Sequence, residues 1–300
     1  MGHLEEDGSE LEEFKPCSDE FILIGGFDGS SWLLGLDSYS PSQDLMETLT
    51  SMRAVRQYAS VGRLNGELYI VGGATDGAWY NTVESYNPLT KQWTSRPSLK
   101  QRKGSLASVS LEDKIFAIGG GDGVDCFSEV EIFDLNAGRW IPVQPMLNKR
   151  FAAAAAEING MLYVAGGYNG KEYLKSVERC DQREHTWTRL ESMTTKRGSH
   201  SLVVLNEKLY ALGGYDGDKM VATVEVFDPR AGSWMVAESM NSSRAYFGAV
   251  AMGDAIYVIG GLDNDNQVLD TVECFRESHG WQVGYSNAIG KRCFLSAVVI

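Results

Sequence analysis

Three hundred residues, 43% of them apolar, suffice for one large domain or two ordinary ones with a sizeable core. Gly is abundant at 33 and Pro scarce at 7, a pairing that fits many tight turns between short strands and counts against Pro-rich disorder. The formal charge of −13 argues against a nucleic-acid or anionic-membrane binder, both of which need a basic field, and no run approaches the ~18 apolar residues of a membrane span.

At the N-terminus, residues 1–19 read as an acidic, disordered tail; through Glu20 there are eight acids against the single base Lys15. The segment has no apolar run of the kind a secretory signal carries. Five scattered cysteines without CxxC spacing (Cys17, Cys126, Cys180, Cys274 and Cys293) fit reduced thiols and a cytoplasmic or nuclear location. Neither a metal nor a cofactor is expected.

From residue 20 to 300 the chain repeats itself. Glycine pairs begin at Gly25, Gly72, Gly119, Gly166, Gly213 and Gly260, each 47 residues after the last. Trp93, Trp140, Trp187, Trp234 and Trp281 keep the same step, as do Tyr69, Phe116, Tyr163, Tyr210 and Tyr257. A fixed period in this range marks an array of supersecondary units.

The first unit begins at its second strand, Glu20–Gly26, and has Met46 where the period calls for Trp and Asp37 where it calls for Glu. The unit around Gly166 shows the full pattern. A small-residue strand over 150–158 turns at Asn159-Gly160, a pair that favours a tight hairpin, into a second strand, Met161–Gly167. A loop at Tyr168-Asn169-Gly170, a third strand through Ser176–Cys180 and a fourth from Trp187 complete it. The alanine run Ala152–Ala156 would favour helix in isolation, but its repeat equivalents Ser105–Leu111 and Ser199–Leu205 make it a strand. Cys180 stands where other units carry an aromatic, and the sixth unit has a longer loop at Asp263–Gln267, so these units and the first should be the least regular. The last nine residues, Arg292–Ile300, form a first strand with no second strand after it, and are expected to join the first unit and close a ring.

Six units of four antiparallel strands are thus expected, an all-β six-bladed propeller. In such a ring the loop after each Gly-Gly and the linker to the next unit share a face. The residue ten after each Trp position is basic: Arg56, Lys103 beside Arg102, Arg150, Arg197, Arg244 and, in the last unit, Lys291 beside Arg292. These are expected to ring the mouth of a central channel and bind carboxylates. Trp32 and Trp79 lie off the main Trp register in loops on the same face and are candidate binding anchors. The in-register Trp series reads as core between units.

The marks Gly213-Gly214-Tyr215-Asp216-Gly217, Val224-Glu225-Val226-Phe227, Trp234 and Met240…Arg244 resemble the Kelch repeat over nearly the whole chain. More narrowly, the sequence is similar to the C-terminal Kelch domains of plant DCD-domain proteins and to the substrate-binding propellers of BTB-Kelch ubiquitin-ligase adaptors. That resemblance implies protein binding at the loop face, by Arg56, Arg102, Arg150, Arg197, Arg244 and Arg292 with Tyr168 and Tyr215. It also implies a protein or peptide partner of acidic or mixed charge, a monomeric chain and no catalysis. The alternative is a propeller enzyme acting on a small molecule or glycan. Kelch-type copper oxidases need clustered His and Tyr; here His3, His185, His200 and His279 are dispersed and only His200 falls near the channel. The Asp-box turns of six-bladed sialidases are not seen.

Overall fold

Six sheets, each of four antiparallel strands, are arranged in a ring. The computed structural model describes residues 20–184, 186–285 and 288–299; the acidic tail, His3 and His185 lie outside the described residues. The innermost strands of blades 2 to 6 are Ser60–Leu64, Ala107–Leu111, Ala154–Ile158, Ser201–Leu205 and Gly248–Met252. That of blade 1 is the C-terminal Ser296–Val299, which pairs with Phe21–Ile24 in the register Phe21↔Val299 to Ile24↔Ser296. The last strand therefore seals the ring, as its unpaired position in the sequence requires.

Two features of the local sequence build each blade. The second strand is buried over at least its last four residues, and throughout in Phe21–Ile24 and Ala255–Ile259, because it lies between two neighbouring strands and two neighbouring blades. The first strand alternates, as in the pattern of Ala154–Ile158, since one side faces the next blade and the other the channel. Small residues are accepted there because the blades converge, and the alanine run is a strand.

Each blade leans on its neighbour through tryptophan. Trp140, Trp187, Trp234 and Trp281 donate their indole N–H to the carbonyls of Pro97, Gln144, Glu191 and Glu238, each 43 residues earlier in the preceding blade. Trp93 donates to Thr50 Oγ1 instead, at 3.2 Å. In most blades the Trp also packs on an aromatic of its own third strand, as in Phe133–Trp140 with ring centroids 5.4 Å apart. Blade 4 has Cys180 there, and a small apolar gap lined by Phe116, Leu162, Cys180 and Trp187 remains.

The expected irregularities are present. Blade 1 carries a bulge between Leu36 and Asp37, and the longer sixth loop spans Asp263 to Gln267 within one turn. Blade 2 adds an unforeseen small hairpin, Ala74–Thr75 with Ala78–Trp79, beyond its glycine pair.

Candidate functional site

The loops and linkers do share a face. In every blade the first loop residue bridges the linker before it and the far side of its own loop, as in Phe151↔Tyr168↔Tyr173 and Gly198↔Tyr215↔Met220. Each blade is thus extended past its glycine pair by a narrow three-stranded cap.

The arginines occupy the base of that cap, pointing inward. Arg150, Arg197 and Arg244 are fully buried and Arg292 is 2% exposed. Arg197 donates to the carbonyls of Gly213 and Thr223, both at 2.7 Å, to Thr223 Oγ1 at 2.9 Å and to Glu225 Oε1 at 3.0 Å. Arg150 repeats the set on Gly166, Ser176 and Glu178, and Arg244 on Gly260, Thr271 and Glu273. Arg56 does the same on Gly72, Thr82 and Glu84. Arg292 binds Gly25 O at 2.7 Å and Asp37 Oδ2 at 2.8 Å, which fastens the C-terminal strand into blade 1. The acids are engaged on both sides: Glu225 also accepts the amides of Thr194 and Thr195. Burial pushes the Glu225 carboxyl up, but those amides and Arg197 outweigh it and hold the group below its ordinary value.

This corrects the sequence reading of Arg56, Arg150, Arg197, Arg244 and Arg292. They do not ring the mouth. Each is spent inside its blade, where a guanidinium fork joins linker, glycine-pair carbonyl and third strand. Their tight seat also explains the glycines: Gly166 has φ +63°, and a Cβ there would lie 2.2 Å from the Arg197 carbonyl. In the remaining blade the position belongs to buried Lys103, 3.1 Å from Glu131, while Arg102 is exposed beside it and takes no part in the layer.

Trp32 and Trp79 need the second correction. They belong to a periodic position of their own, shared with Cys126, Tyr173 and Met220, which folds each loop across toward the next blade. Trp79 sits against Gly104 and Gly123 of the blade 3 side, and Tyr173 likewise against Gly198 and Gly217 of the blade 5 side. Both tryptophans are half-buried rather than free anchors.

Tyr168 and Tyr215 flank Tyr173, with ring centroids 5.1 Å from it on each side. Burial, with neighbouring tyrosines, pushes the Tyr173 hydroxyl up to about 12. Beside this triad a cavity of about 560 Å³ opens between the loops of blades 4 and 5, with Tyr168, Tyr173, Lys171, Lys196 and Asp216 in its wall.

The mouth itself is formed by residues the sequence reading passed over. Tyr58, Ser105, Ala152, Ser199, Tyr246 and Phe294 occupy equivalent positions and all have left-handed φ, from +47° to +59°. Their backbones are linked in series by N–H to carbonyl bonds of 2.7–3.0 Å running from Tyr58 round to Phe294. Three consecutive members are aromatic and three are small. On the aromatic side Phe294 meets Tyr58 at 84° and Tyr246 at 4.6 Å, and Trp32 packs on Phe294. A cavity of about 130 Å³ lies within this annulus. Below it the channel, about 270 Å³, is walled by small side chains such as Ser60, Ser108, Ala155, Ser201 and Ser296.

His200 stands just beneath the annulus, 8% exposed, at the position held by Leu106, Phe247 and Leu295 in other blades. Neither ring nitrogen has a hydrogen-bond partner among the described residues. Burial, with Arg197 and Arg150 nearby, pulls its imidazole down to about 3, so it is neutral. Among the described residues no group of three His, Cys, Asp or Glu side chains is placed to hold a metal ion.

The family model of the Attractin/LZTR1 β-propeller matches residues 68–283. Among solved structures, the one titled "Structure of YjhT" is similar in fold, with a TM-score of 0.72 at 14% identity, covering 88% of this chain and 97% of that one. No curated protein matches the sequence.

Proposed function

The chain belongs to the Attractin/LZTR1 β-propeller family, and on that footing we propose that it is a protein-interaction module which receives its partner on the loop face, around the mouth of the channel. The observation that carries this reading is the distribution of labour between the two ends of each blade. The turns of the opposite face are short, as at Asn65-Gly66 and Asn159-Gly160. The loop face carries the long loops and the aromatic mouth, with Val124, 91% exposed, and Leu147, 57% exposed, among them; single exposed leucines such as Leu89 also stand in turns of the other face, but without long loops or an aromatic mouth around them. Apolar groups displayed on a rigid scaffold are what a protein partner covers.

The channel wall supports binding over catalysis. Small side chains, serine and alanine foremost, line it where a reacting pair would have to stand, and His200 is wedged into the core position of its blade. A place in a ubiquitin-ligase adaptor or a plant stress protein is proposed from the Kelch resemblance alone, and a cytoplasmic or nuclear site of action from the scattered cysteines. The buried arginines remove the physical ground for preferring an acidic partner.

Affinity capture tests the face. Val124→Asp with Leu147→Asp should lose a partner that the wild type retains. Leu89→Asp, at a 93% exposed position in a turn of the opposite face, should keep it. Loss with Leu89→Asp and retention with the loop-face pair would overturn the reading.

A further inference from the structure

We infer that the aromatic half of the channel mouth is a seat for a cationic side chain, an arginine carried by a partner protein. The inference rests on the loop-face reading above and goes further by fixing the partner's chemistry, with a sign opposite to the one the sequence suggested.

The first support is a comparison the repeat makes internally. All six mouth positions share one backbone conformation and one chain of hydrogen bonds. Ser105, Ala152 and Ser199 show that the annulus needs nothing larger than Ser or Ala. Tyr58, Tyr246 and Phe294 therefore exceed what the fold asks, and they are consecutive around the ring. These rings pack on one another and on Trp32 and Trp79, and, half-buried in the wall of the cavity, they line it with aromatic surface.

The second support is charge. The loops of blades 6, 1 and 2, which carry the aromatic half, hold Asp263, Asp265, Asp28 and Asp76. Against these stand Lys291 and Arg53, the last already engaged by Glu84 and the Trp93 carbonyl. Around the small half, on blades 3, 4 and 5, the balance reverses: Lys100, Arg102, Lys149, Lys171, Lys175, Lys196 and Lys219 outnumber the loop acids Asp122, Asp125, Glu172, Asp216 and Asp218, with Lys196 paired to Glu172. The arginine layer adds no free positive charge, because each member is neutralised by its buried acid. Acids and π faces thus coincide on one half of the mouth, and both attract a guanidinium.

The third support is size. The mouth cavity of about 130 Å³ holds about four water volumes, the room a guanidinium head needs. His200 at its floor is neutral and does not repel a cation.

The test uses the full chain and fluorescein-labelled peptides of alternating Gly-Arg, Gly-Ser and Gly-Glu, ten residues each, followed by fluorescence anisotropy. The Gly-Arg peptide is expected to bind at least tenfold more tightly than the other two. Tyr58→Ser with Tyr246→Ser, which installs the residue the same turn carries at Ser105 and Ser199, should weaken it about tenfold. The melting temperature reports whether this variant folds. Asp76→Asn with Asp265→Asn, at exposed positions, gives a second reading and should weaken the same peptide about threefold at low salt. Lys149→Ser should leave it unchanged. Equal or tighter binding of the Gly-Glu peptide overturns the inference, and so does a Tyr58→Ser/Tyr246→Ser protein that binds Gly-Arg as the wild type does. Failure here is separable from failure of the module reading. A partner lost with Val124→Asp/Leu147→Asp but indifferent to the two tyrosines sinks the cation seat alone.

Discussion

Replacing Arg197 by Met separates a structural guanidinium from a binding one. The substitution keeps the side chain's length and removes all four of its bonds, stranding the buried carbonyl of Gly213, while that of Thr223 keeps the Gly213 amide at 3.2 Å. An orphaned acceptor costs about 1–3 kcal/mol. Glu225 loses its counter-charge but keeps the amides of Thr194 and Thr195 at 2.6 and 3.0 Å, which moderates the loss. The expected cost is about 4 kcal/mol, in the range found when one partner of a buried ion pair is removed. That is a large share of the about 5–15 kcal/mol that holds a domain together, and it should lower the melting temperature by roughly 10 °C. Calorimetry and urea denaturation measure both quantities, with Arg102→Met as the control; that side chain is exposed, and its loss should cost less than about 0.5 kcal/mol. An Arg197→Met protein that melts within about 2 °C of the wild type while losing its partner would refute the reasoning, since the group would then be serving the ligand.

Three further outcomes follow from individual sites. Cys180→Phe should raise stability by about 1 kcal/mol, because it restores in blade 4 the aromatic contact seen for Phe227–Trp234 at 5.2 Å and fills the gap beside Trp187; a fall in urea midpoint would mean the blade has closed around the smaller side chain. His200 gives the protein an acid weakness. Its folded value of about 3 lies below the ordinary 6.5, so the stability present above pH 6.5 is lost as pH falls from there toward 3, the unfolded chain taking a proton the folded one refuses. By pH 4.5 the loss is about 3 kcal/mol, and His200→Leu should abolish that decline; parallel pH profiles for the two proteins would contradict it. Removal of residues 296–300 strips the partner from Phe21–Ile24 and leaves an open apolar edge, so the truncated chain should appear in the insoluble fraction; a soluble, cooperatively melting product would show that closure is dispensable.

The blade count, the four-stranded unit and the closing strand were legible because each is written as spacing. A step of 47 residues survives any local ambiguity, and it correctly overrode the helix preference of Ala152–Ala156. The direction of a side chain is not written that way. Arg150 and Arg197 were placed on the right face by topology, yet whether they pointed at solvent or into the blade depended on what stood opposite. One signal was available: Glu84, Glu131, Glu178 and Glu225 follow their bases by a constant 28 residues. Charges of opposite sign locked at a fixed interval through a repeat are more simply partners of each other than of a ligand. Trp32 and Trp79 were misread for a related cause, since their own register with Tyr173 and Met220 was hidden by Cys126 and by the inserted residue in blade 6. The mouth was illegible because its defining property is a left-handed backbone, and Tyr58 and Phe294 are not residues from which positive φ is inferred.

The location of the binding surface is the claim on which the account turns, and a hydrogen-exchange footprint of the propeller with and without its captured partner tests it most directly. Slowed exchange should fall on the loop face, on the blade 3 segments around Val124 and Leu147 and on the mouth around Tyr58, Tyr246 and Phe294. Protection confined to the opposite turns at Asn65-Gly66 and Asn159-Gly160, or to the outer strands such as Ser233–Ala237, would contradict it.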